Sequence, residues 1–273
     1  MTREQERMTM KMAKLEDILS PSFGSMRRQI RTARRHPTEM LWRRCLSVGS
    51  TFCDSVVNAS LLSWEQMVSS ACRYCLGATK NRGVIYWQID QEGRVHDGKV
   101  MYYGPDCHRL KDCNPTWIST LLAIREHRPK DSYTTSHCFF GLHLLMEEGR
   151  WKMDDVGCMR DDEVAVVEAE KSAVILSEIY PQYIWLATGG LGEVQTDKFR
   201  PLRGRKVVLF PDTDPNGKAF DYWFKAADEV MQSPFWEDSP PIRVSAFLEQ
   251  HASEDQKRRK IDLVDFLKES GRI

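Results

Sequence analysis

Two short apolar segments that each end in carboxylates constrain the fold of this chain more than any other feature. The first, Val164–Val167, runs into Glu168, and the second, Lys206–Phe210, runs into Asp212 and Asp214. A helix-compatible segment follows each of them. In an open parallel sheet, the strand ends that feed helices lie at one edge, so the three acids are expected to meet there. Three carboxylates would repel one another unless a divalent cation lay among them, and Mg²⁺ is the usual one.

The length and composition exclude several classes of protein. The 273 residues suffice for one large domain or two small ones, and 39 basic against 39 acidic residues argue against a surface coated in positive charge. A local basic groove remains compatible with this balance. Eight scattered cysteines without a secretory signal favour reduced thiols. No apolar run approaches the roughly 18 residues that span a bilayer, so we expect a soluble cytoplasmic protein without a membrane partner.

The first part of the chain divides into a basic arm and a mixed segment. Residues 1–44 form the arm, whose clustered arginines indicate either a solvated or disordered segment or a contact to phosphates. Residues 45–162 predict a smaller α+β subdomain, with a domain boundary within 147–162. Its expected elements are a helical stretch over 45–79, strands at 84–89 and 94–103 around a turn at 90–93, and a short helix near 117–124.

From residue 163 to 273, short apolar strands alternate with helix-compatible segments. Strands are expected at 164–167, 183–187, 206–210 and 242–247, and helices at 171–179, 217–231 and 263–269. Such alternation predicts a parallel sheet that is buried beneath flanking helices. The fold class is therefore α/β, in which this sheet is preceded by the smaller α+β subdomain and its hairpin.

Each acidic motif also has a purely structural interpretation. Glu168 could be a solvated strand end, and one acid of the second motif could cap the helix that follows. A cap does not account for two acids with the spacing Asp-x-Asp, which lie on the same side of an extended segment. Pro215 and Gly217 then fit a sharp turn into the helix. The metal interpretation is therefore stronger for the second motif than for the first.

Three of these segments together resemble a known family. Residues 166–173 read Val-Val-Glu-Ala-Glu-Lys-Ser-Ala, residues 186–190 read Leu-Ala-Thr-Gly-Gly, and residues 210–219 read Phe-Pro-Asp-Thr-Asp-Pro-Asn-Gly-Lys-Ala. In this order they are similar to the toprim domain of DnaG-type primases, type IA topoisomerases and related nucleases. The departure is Ala169, which stands where glycine is common.

The resemblance extends beyond these motifs. Residues 86–100 resemble the small N-terminal subdomain of phage primase-helicases and plasmid primases, and residues 74–223 resemble uncharacterised toprim-like proteins of bacterial mobile elements. Near the end, residues 260–267 are similar to a Lys-Asp-x-x-Asp-x-Leu element of primases. Acids in such a position also begin ordinary helices.

The resemblance implies a Mg²⁺- or Mn²⁺-dependent nucleotidyltransferase, like a primase, that acts on single-stranded DNA during replication of a mobile element. Asp212 and Asp214 would ligate metal, and Glu168 would ligate metal or act as general acid or base. Expected partners are single-stranded DNA, nucleoside triphosphates and a separate helicase or template-recognition protein. The residues expected to hold nucleotide or template phosphates are Arg82, Arg94, Lys99, Lys171, Gly189, Gly190 and Lys218.

Cysteines and aromatic residues offer two further hypotheses. A zinc ribbon like that of DnaG-type primases would need the loosely spaced Cys72, Cys75, Cys107, His108 and Cys113. Because buried thiols are common core residues, zinc is not expected. Bases of a single strand could stack on aromatic rings, or the same rings could form the apolar face of a strand pair. These rings are Tyr86, Trp87, Tyr102 and Tyr103.

Two other functions are compatible with the same residues. A non-catalytic DNA-binding replication accessory protein could keep the fold, and both the neutral net charge and the lack of a zinc ribbon favour it. A toprim nuclease would cleave strands with the same three acids. The sequence therefore predicts a phosphoryl-transfer site and leaves its use in synthesis, cleavage or binding open.

Overall fold

The computed structural model divides the described part of the chain into two units. The described residues are 45–133, 136–145 and 163–273. The first unit comprises residues 45–87 and 92–133, and the second comprises residues 88–91, 136–145 and 163–273. The predicted basic arm, 1–44, and the predicted boundary, 147–162, lie outside the described residues. Within the described ranges, no helix combines the length and the apolar character that crossing a bilayer requires.

The first unit is built on a small sheet with three helices. The sheet has four strands in the order β1-β2-β3-β4. The strands are β1 (Gly77–Ala78), β2 (Val84–Ile89), β3 (Val95–Met101) and β4 (Thr116–Trp117), and the helices are α1 (Thr51–Asn58), α2 (Trp64–Arg73) and α3 (Ile118–Arg125). The predicted strand at 84–89 and the helix near 117–124 are therefore confirmed.

The stretch predicted as helical over 45–79 is instead two helices and a strand. The chain leaves α1 at Ala59, and Ser60 takes a positive φ of 57°. A capping box then starts α2, because the Ser63 hydroxyl accepts the N–H of Gln66 while the Gln66 side chain accepts the N–H of Ser63. This local chemistry outweighs the mixed apolar spacing from which one long element was predicted.

The aromatic residues of the hairpin belong to the core of the first unit. The ring of Phe52 lies 5.7 Å from that of Tyr86 and 5.0 Å from that of Tyr103, and the two tyrosine hydroxyls are 3.1 Å apart. Trp87 is fully buried as well. The hypothesis that Tyr86, Trp87 and Tyr103 stack on bases is therefore wrong, because their rings are occupied by packing.

The second unit is a parallel sheet with flanking helices, which confirms the predicted α/β fold class. Its four strands are paired in parallel in the order β6-β5-β7-β8. The strands are β5 (Glu163–Val167), β6 (Tyr183–Ala187), β7 (Val207–Phe210) and β8 (Arg243–Val244). The α-helices are α4 (Glu170–Ile179), α5 (Lys218–Met231), α6 (Phe247–His251), α7 (Glu254–Arg259) and α8 (Leu263–Glu269). Short 3₁₀ helices are formed by Leu142–Leu145, Leu191–Glu193, Thr196–Leu202 and Pro234–Trp236.

The central strand β5 is buried on both faces. Val164 and Val166 join one core cluster with Trp223 of α5, whereas Ala165 and Val167, which point the other way, are also buried. A continuous apolar run is typical of a parallel strand covered by helices on both faces. The polar residue that follows such a strand emerges at the edge of the sheet, where the candidate site lies.

Candidate active site

The pairing of β5 with β7 brings two of the predicted acids to one edge of the sheet. Val167, the last residue of β5, is in register with Phe210, the last residue of β7. Glu168 follows the first strand directly, and Asp212 follows the second after one intervening proline. The two carboxylates are close enough that the charge of Glu168 acts on the ionisation of Asp212.

The glycine loop after β6 holds the backbone at Glu168. The N–H of Gly189 donates to the carbonyl oxygen of Glu168 at 2.9 Å, and the Thr188 N–H donates to Val167 at 3.0 Å. Gly189 has a φ of 89°, a conformation that favours glycine. The Thr188 hydroxyl in turn donates to the carbonyl of Gly190 at 2.9 Å. The loop therefore lies beside the site, while nucleotide binding by Gly189 and Gly190 stays a prediction.

Asp212 is ionised with difficulty in this environment. Burial raises the pKa of its carboxyl well above the ordinary value of 3.8, and the negative charges of Asp262 and Glu168 raise it further. The Lys171 ammonium opposes these effects without cancelling them. A carboxyl in such a position favours either a proton or a nearby cation.

Asp262 lies beside Asp212 in the site, although it was not among the residues predicted for it. Its Oδ2 accepts the Ser172 hydroxyl at 2.8 Å and lies 3.1 Å from the Lys171 ammonium. Its Oδ1 accepts the N–H of Asp265 at 2.8 Å and so caps α8. Burial works to raise the pKa of Asp262, but Lys171 and these hydrogen bonds outweigh it and lower the pKa overall.

A backbone contact ties Asp262 to the second motif. Thr213 lies between the two predicted aspartates, and its N–H donates to the carbonyl of Ile261 at 3.2 Å. The side chain of Thr213 is buried and donates to Glu249 of α6 at 2.8 Å. The signal that could have identified Asp262 was the Lys-x-Asp-x-x-Asp spacing of residues 260–265, which also describes an ordinary helix start.

Asp214 is directed to the start of α5. Its two carboxylate oxygens accept the N–H of Asn216 at 2.9 Å and the N–H of Ala219 at 2.6 Å. Burial works to raise the pKa of Asp214, but the backbone donors of Ala219, Asn216 and Lys218 outweigh it and lower the pKa. The contacts of Asp214 are therefore those expected of a helix-capping residue, and its role as a metal ligand stays a prediction.

The predicted basic residues differ in their surroundings. The Lys171 side chain is largely buried between Asp262 and Asp265, whereas Lys218 is exposed in the first turn of α5. The other three belong to the first unit. There Arg82 forms an ion pair with Asp54, Arg94 lies 2.6 Å from Glu92, and Lys99 lies in β3 opposite Trp117.

The carboxylates at the sheet edge are of the chemical type that Mg²⁺ prefers, and the binding of Mg²⁺ itself stays a prediction. Among the described residues, no group of three or more His, Cys, Asp or Glu side chains is placed to enclose a metal ion. Mg²⁺ commonly keeps several waters and binds through one or two carboxylates plus substrate phosphates. Glu168 and Asp212 would provide two hard oxygen ligands, and a cation between them would relieve the repulsion that helps to raise the pKa of Asp212.

The cysteines of the first unit are packed as core residues. Cys72, Cys75 and Cys107 are buried, and none of these three forms a disulfide bond. Burial raises the pKa of Cys72 to about 12 and also raises that of Cys75. A bound zinc ion would itself lower the pKa of these thiols, so the expectation that zinc is absent stays a prediction.

Comparisons with known proteins give a family and distant similarities to solved structures. The primase fragment of the bacteriophage T7 primase-helicase protein aligns with a TM-score of 0.36 and 17% identity, over 68% of this chain and 69% of that chain. A chain of a second structure aligns with a TM-score of 0.36 and 17% identity; this structure is of the bacteriophage T7 lagging-strand DNA polymerase interacting with primase domains of two gp4 subunits bound to an RNA/DNA hybrid and dTTP. This second alignment covers 67% of this chain and 80% of that chain.

No curated protein matches the sequence significantly. The model of one protein family, by contrast, matches residues 55–213, which is more than half of the chain. The family is described as a domain of unknown function, DUF6371. The chain therefore belongs to the DUF6371 family.

Proposed function

We propose that this chain is a Mg²⁺-dependent nucleotidyltransferase of the primase type, which joins nucleoside triphosphates on a single-stranded DNA template. The observation that carries the proposal is the placement of Asp212 beside Glu168 and Asp262 at the edge of a parallel sheet. The resemblance of residues 166–173 and 210–219 to toprim motifs supports it. The resemblance of residues 74–223 to toprim-like proteins of bacterial mobile elements supports a role in replication of such an element.

The residues of the chain have separable tasks in this proposal. Glu168 and Asp212 would hold the metal ion, which when bound neutralises charge on phosphate oxygens and orients them for transfer. The glycine loop fixes the backbone at Glu168, so that this carboxylate is positioned before substrate arrives. Asp262 places its negative charge beside Asp212 and is itself held by Lys171. Lys218, exposed at the start of α5, would meet the triphosphate.

Template binding is assigned to the half-exposed cations of the first unit. Replacing Arg94 and Lys99 with glutamate is expected to weaken binding to single-stranded DNA by about 10-fold at low salt. The slope of log K against log salt concentration should become shallower by about 1.4, because each phosphate contact contributes roughly 0.7 to it. Fluorescence anisotropy with a labelled oligonucleotide at several salt concentrations measures both effects. Lys130→Glu, at an exposed position of the same unit, is the matched control. An unchanged slope would remove these residues from the interface.

Primer synthesis tests the proposed activity directly. Incubation of the chain with single-stranded DNA, Mg²⁺ and labelled ribonucleotides is expected to yield short labelled products, and omission of any component should abolish them. If the chain shortened end-labelled strands in the presence of Mg²⁺ but without nucleotides, the activity would be that of a nuclease instead. Binding of DNA with neither product would contradict the enzymatic proposal.

A non-catalytic accessory function is the second candidate, and one observation favours it. The Asp214 carboxylate is satisfied by backbone N–H groups of α5, so one of the three predicted acids has a structural task as placed. A protein of this kind would bind single-stranded DNA beside a helicase or a separate template-recognition protein. Association with DNA that is insensitive to both Mg²⁺ and nucleoside triphosphates would support it over the enzyme.

A further inference from the structure

The carboxylates of Glu168, Asp212, Asp262 and Asp265, here called the carboxylate cluster, are accompanied by the positive charge of Lys171. The Lys171 ammonium lies 3.1 Å from Oδ2 of Asp262 and 3.4 Å from Oδ1 of Asp265. The side chains of Lys171, Asp262 and Asp265 are only 11%, 7% and 17% exposed, so solvent screens their interaction weakly. This ammonium is therefore already neutralised by two carboxylates of the chain itself.

Lys171 occupies a position that disfavours a lysine without such partners. It stands in the first turn of α4, where the helix dipole and the free N–H groups oppose positive charge. Asp262 and Asp265 stand at the start of α8, where negative charge is favoured. The two carboxylates thus hold the ammonium at a helix end that would otherwise repel it.

Asp262 has few lone pairs left for another ligand. Its Oδ2 accepts the Ser172 hydroxyl in addition to the Lys171 ammonium, and its Oδ1 accepts the Asp265 N–H. A carboxylate offers about four acceptor sites, so three of them are used by the chain. The acids at the other side of the cluster, Glu168 and Asp212, follow strand ends and are the ones assigned to metal.

We propose that Lys171 is a built-in counter-cation, which takes the place of a second divalent ion beside Asp262 and Asp265. The cluster then takes up one divalent ion, at Glu168 and Asp212, rather than two. This inference rests on the proposed function, because it presupposes that the cluster binds a divalent ion at all. It adds that the ammonium sets how many ions the site accepts.

Counting bound ions tests the inference. Titration of the full chain with Mn²⁺, followed by the electron paramagnetic resonance signal of the free ion, is expected to give one ion per wild-type chain and two per Lys171→Met chain. Lys171→Arg, which keeps the charge, and Lys225→Met, at an exposed position of α5, should each bind one.

Thermal unfolding supplies a second readout. Without Mn²⁺, Lys171→Met is expected to melt roughly 5–10 °C below the wild type, because removing one partner of a buried ion pair leaves uncompensated charge. Mn²⁺ should restore more than half of this loss, whereas it should not rescue a variant that suffers only from poor packing. A Lys171→Met chain that stays unfolded even in Mn²⁺ would contradict the proposal.

The possible ion counts separate this inference from the proposed function. Two Mn²⁺ ions on the wild type, or one on Lys171→Met, would overturn the counter-cation and leave the metal site standing. No Mn²⁺ on the wild type would overturn the metal site of the proposed function itself. One ion on the wild type and two on Lys171→Met would support both.

Discussion

Replacing Asp212 with asparagine is expected to reduce primer synthesis by about 100-fold or more, since metal stabilisation of a reacting phosphoryl group is worth several kcal/mol. Asparagine keeps the shape of the side chain but removes the negative charge that would hold the cation. The measurement is the rate of labelled primer formation on single-stranded DNA at saturating Mg²⁺. Asp221→Asn removes an exposed acid from the first turn of α5 and should leave the rate unchanged.

The same substitution is expected to stabilise the chain when metal is absent. The pKa of Asp212 is raised by burial and by the charges of Asp262 and Glu168, so folding becomes less favourable as pH rises from the ordinary value of 3.8 through the raised one. At pH 8 without Mg²⁺, we expect the Tm of Asp212→Asn to exceed that of the wild type by roughly 3–6 °C. Mg²⁺ should then raise the Tm of the wild type alone.

Two outcomes would contradict this assignment separately. Full primer synthesis by Asp212→Asn would show that this carboxylate does not hold the metal. A Tm of metal-free Asp212→Asn below that of the metal-free wild type would show that the Asp212 charge does not destabilise the folded state. A lower rate together with a higher Tm is the combination that a purely structural aspartate would not give.

The parallel sheet and its edge could be predicted from the sequence because their signals are local. Continuous apolar strands, each followed by a helix, located β5, β6 and β7 to within one residue, and the register of β5 with β7 then placed Glu168 near Asp212. Helix α8 was predicted with its observed bounds, Leu263–Glu269. Apolar runs of this kind indicate which residues are buried, and their length and spacing distinguish strands from helices.

The parts that sequence reasoning missed depend on contacts between distant residues. Asp262 had a sufficient local explanation as a helix cap, and its partner Ser172 is 90 positions away in the chain. Asp214 raised the opposite difficulty, because capping and metal binding predict the same residue type at the same place. Which task a carboxylate has depends on where its oxygens point, and spacing alone does not determine that.

Asp262→Ala is expected to be the most destabilising single substitution in the site, by about 3–5 kcal/mol. It removes the ion pair with Lys171, the hydrogen bond from Ser172 and the cap of α8 at once. Lys171 would keep Asp265, whose Oδ1 lies 3.4 Å from the ammonium. We expect the Tm to fall by roughly 10 °C or more, as measured by thermal unfolding with urea unfolding as an independent estimate.

Two further variants divide this loss between cap and charge. Asp262→Asn keeps the cap, because asparagine caps helices about as well as aspartate, and removes only the charge. Ser253→Ala removes the capping box of α7, where the capping residue is exposed and carries no charge. This substitution should lower the free energy of unfolding by about 1 kcal/mol. If Asp262→Ala costs no more than Ser253→Ala, then Asp262 is an ordinary cap.

The pH dependence of stability identifies the charge of Asp262 independently. Because the fold lowers the pKa of this carboxyl, its contribution is present above the ordinary value of 3.8 and is lost as pH falls through the lowered value. The Tm difference between the wild type and Asp262→Asn should therefore narrow on acidification. Asp212 has the opposite sign, so the stability that it withholds at neutral pH returns in acid. If the Tm difference between the wild type and Asp262→Asn did not change with pH, the charge of Asp262 would not contribute to stability. The ion pair with Lys171 would then not stabilise the site.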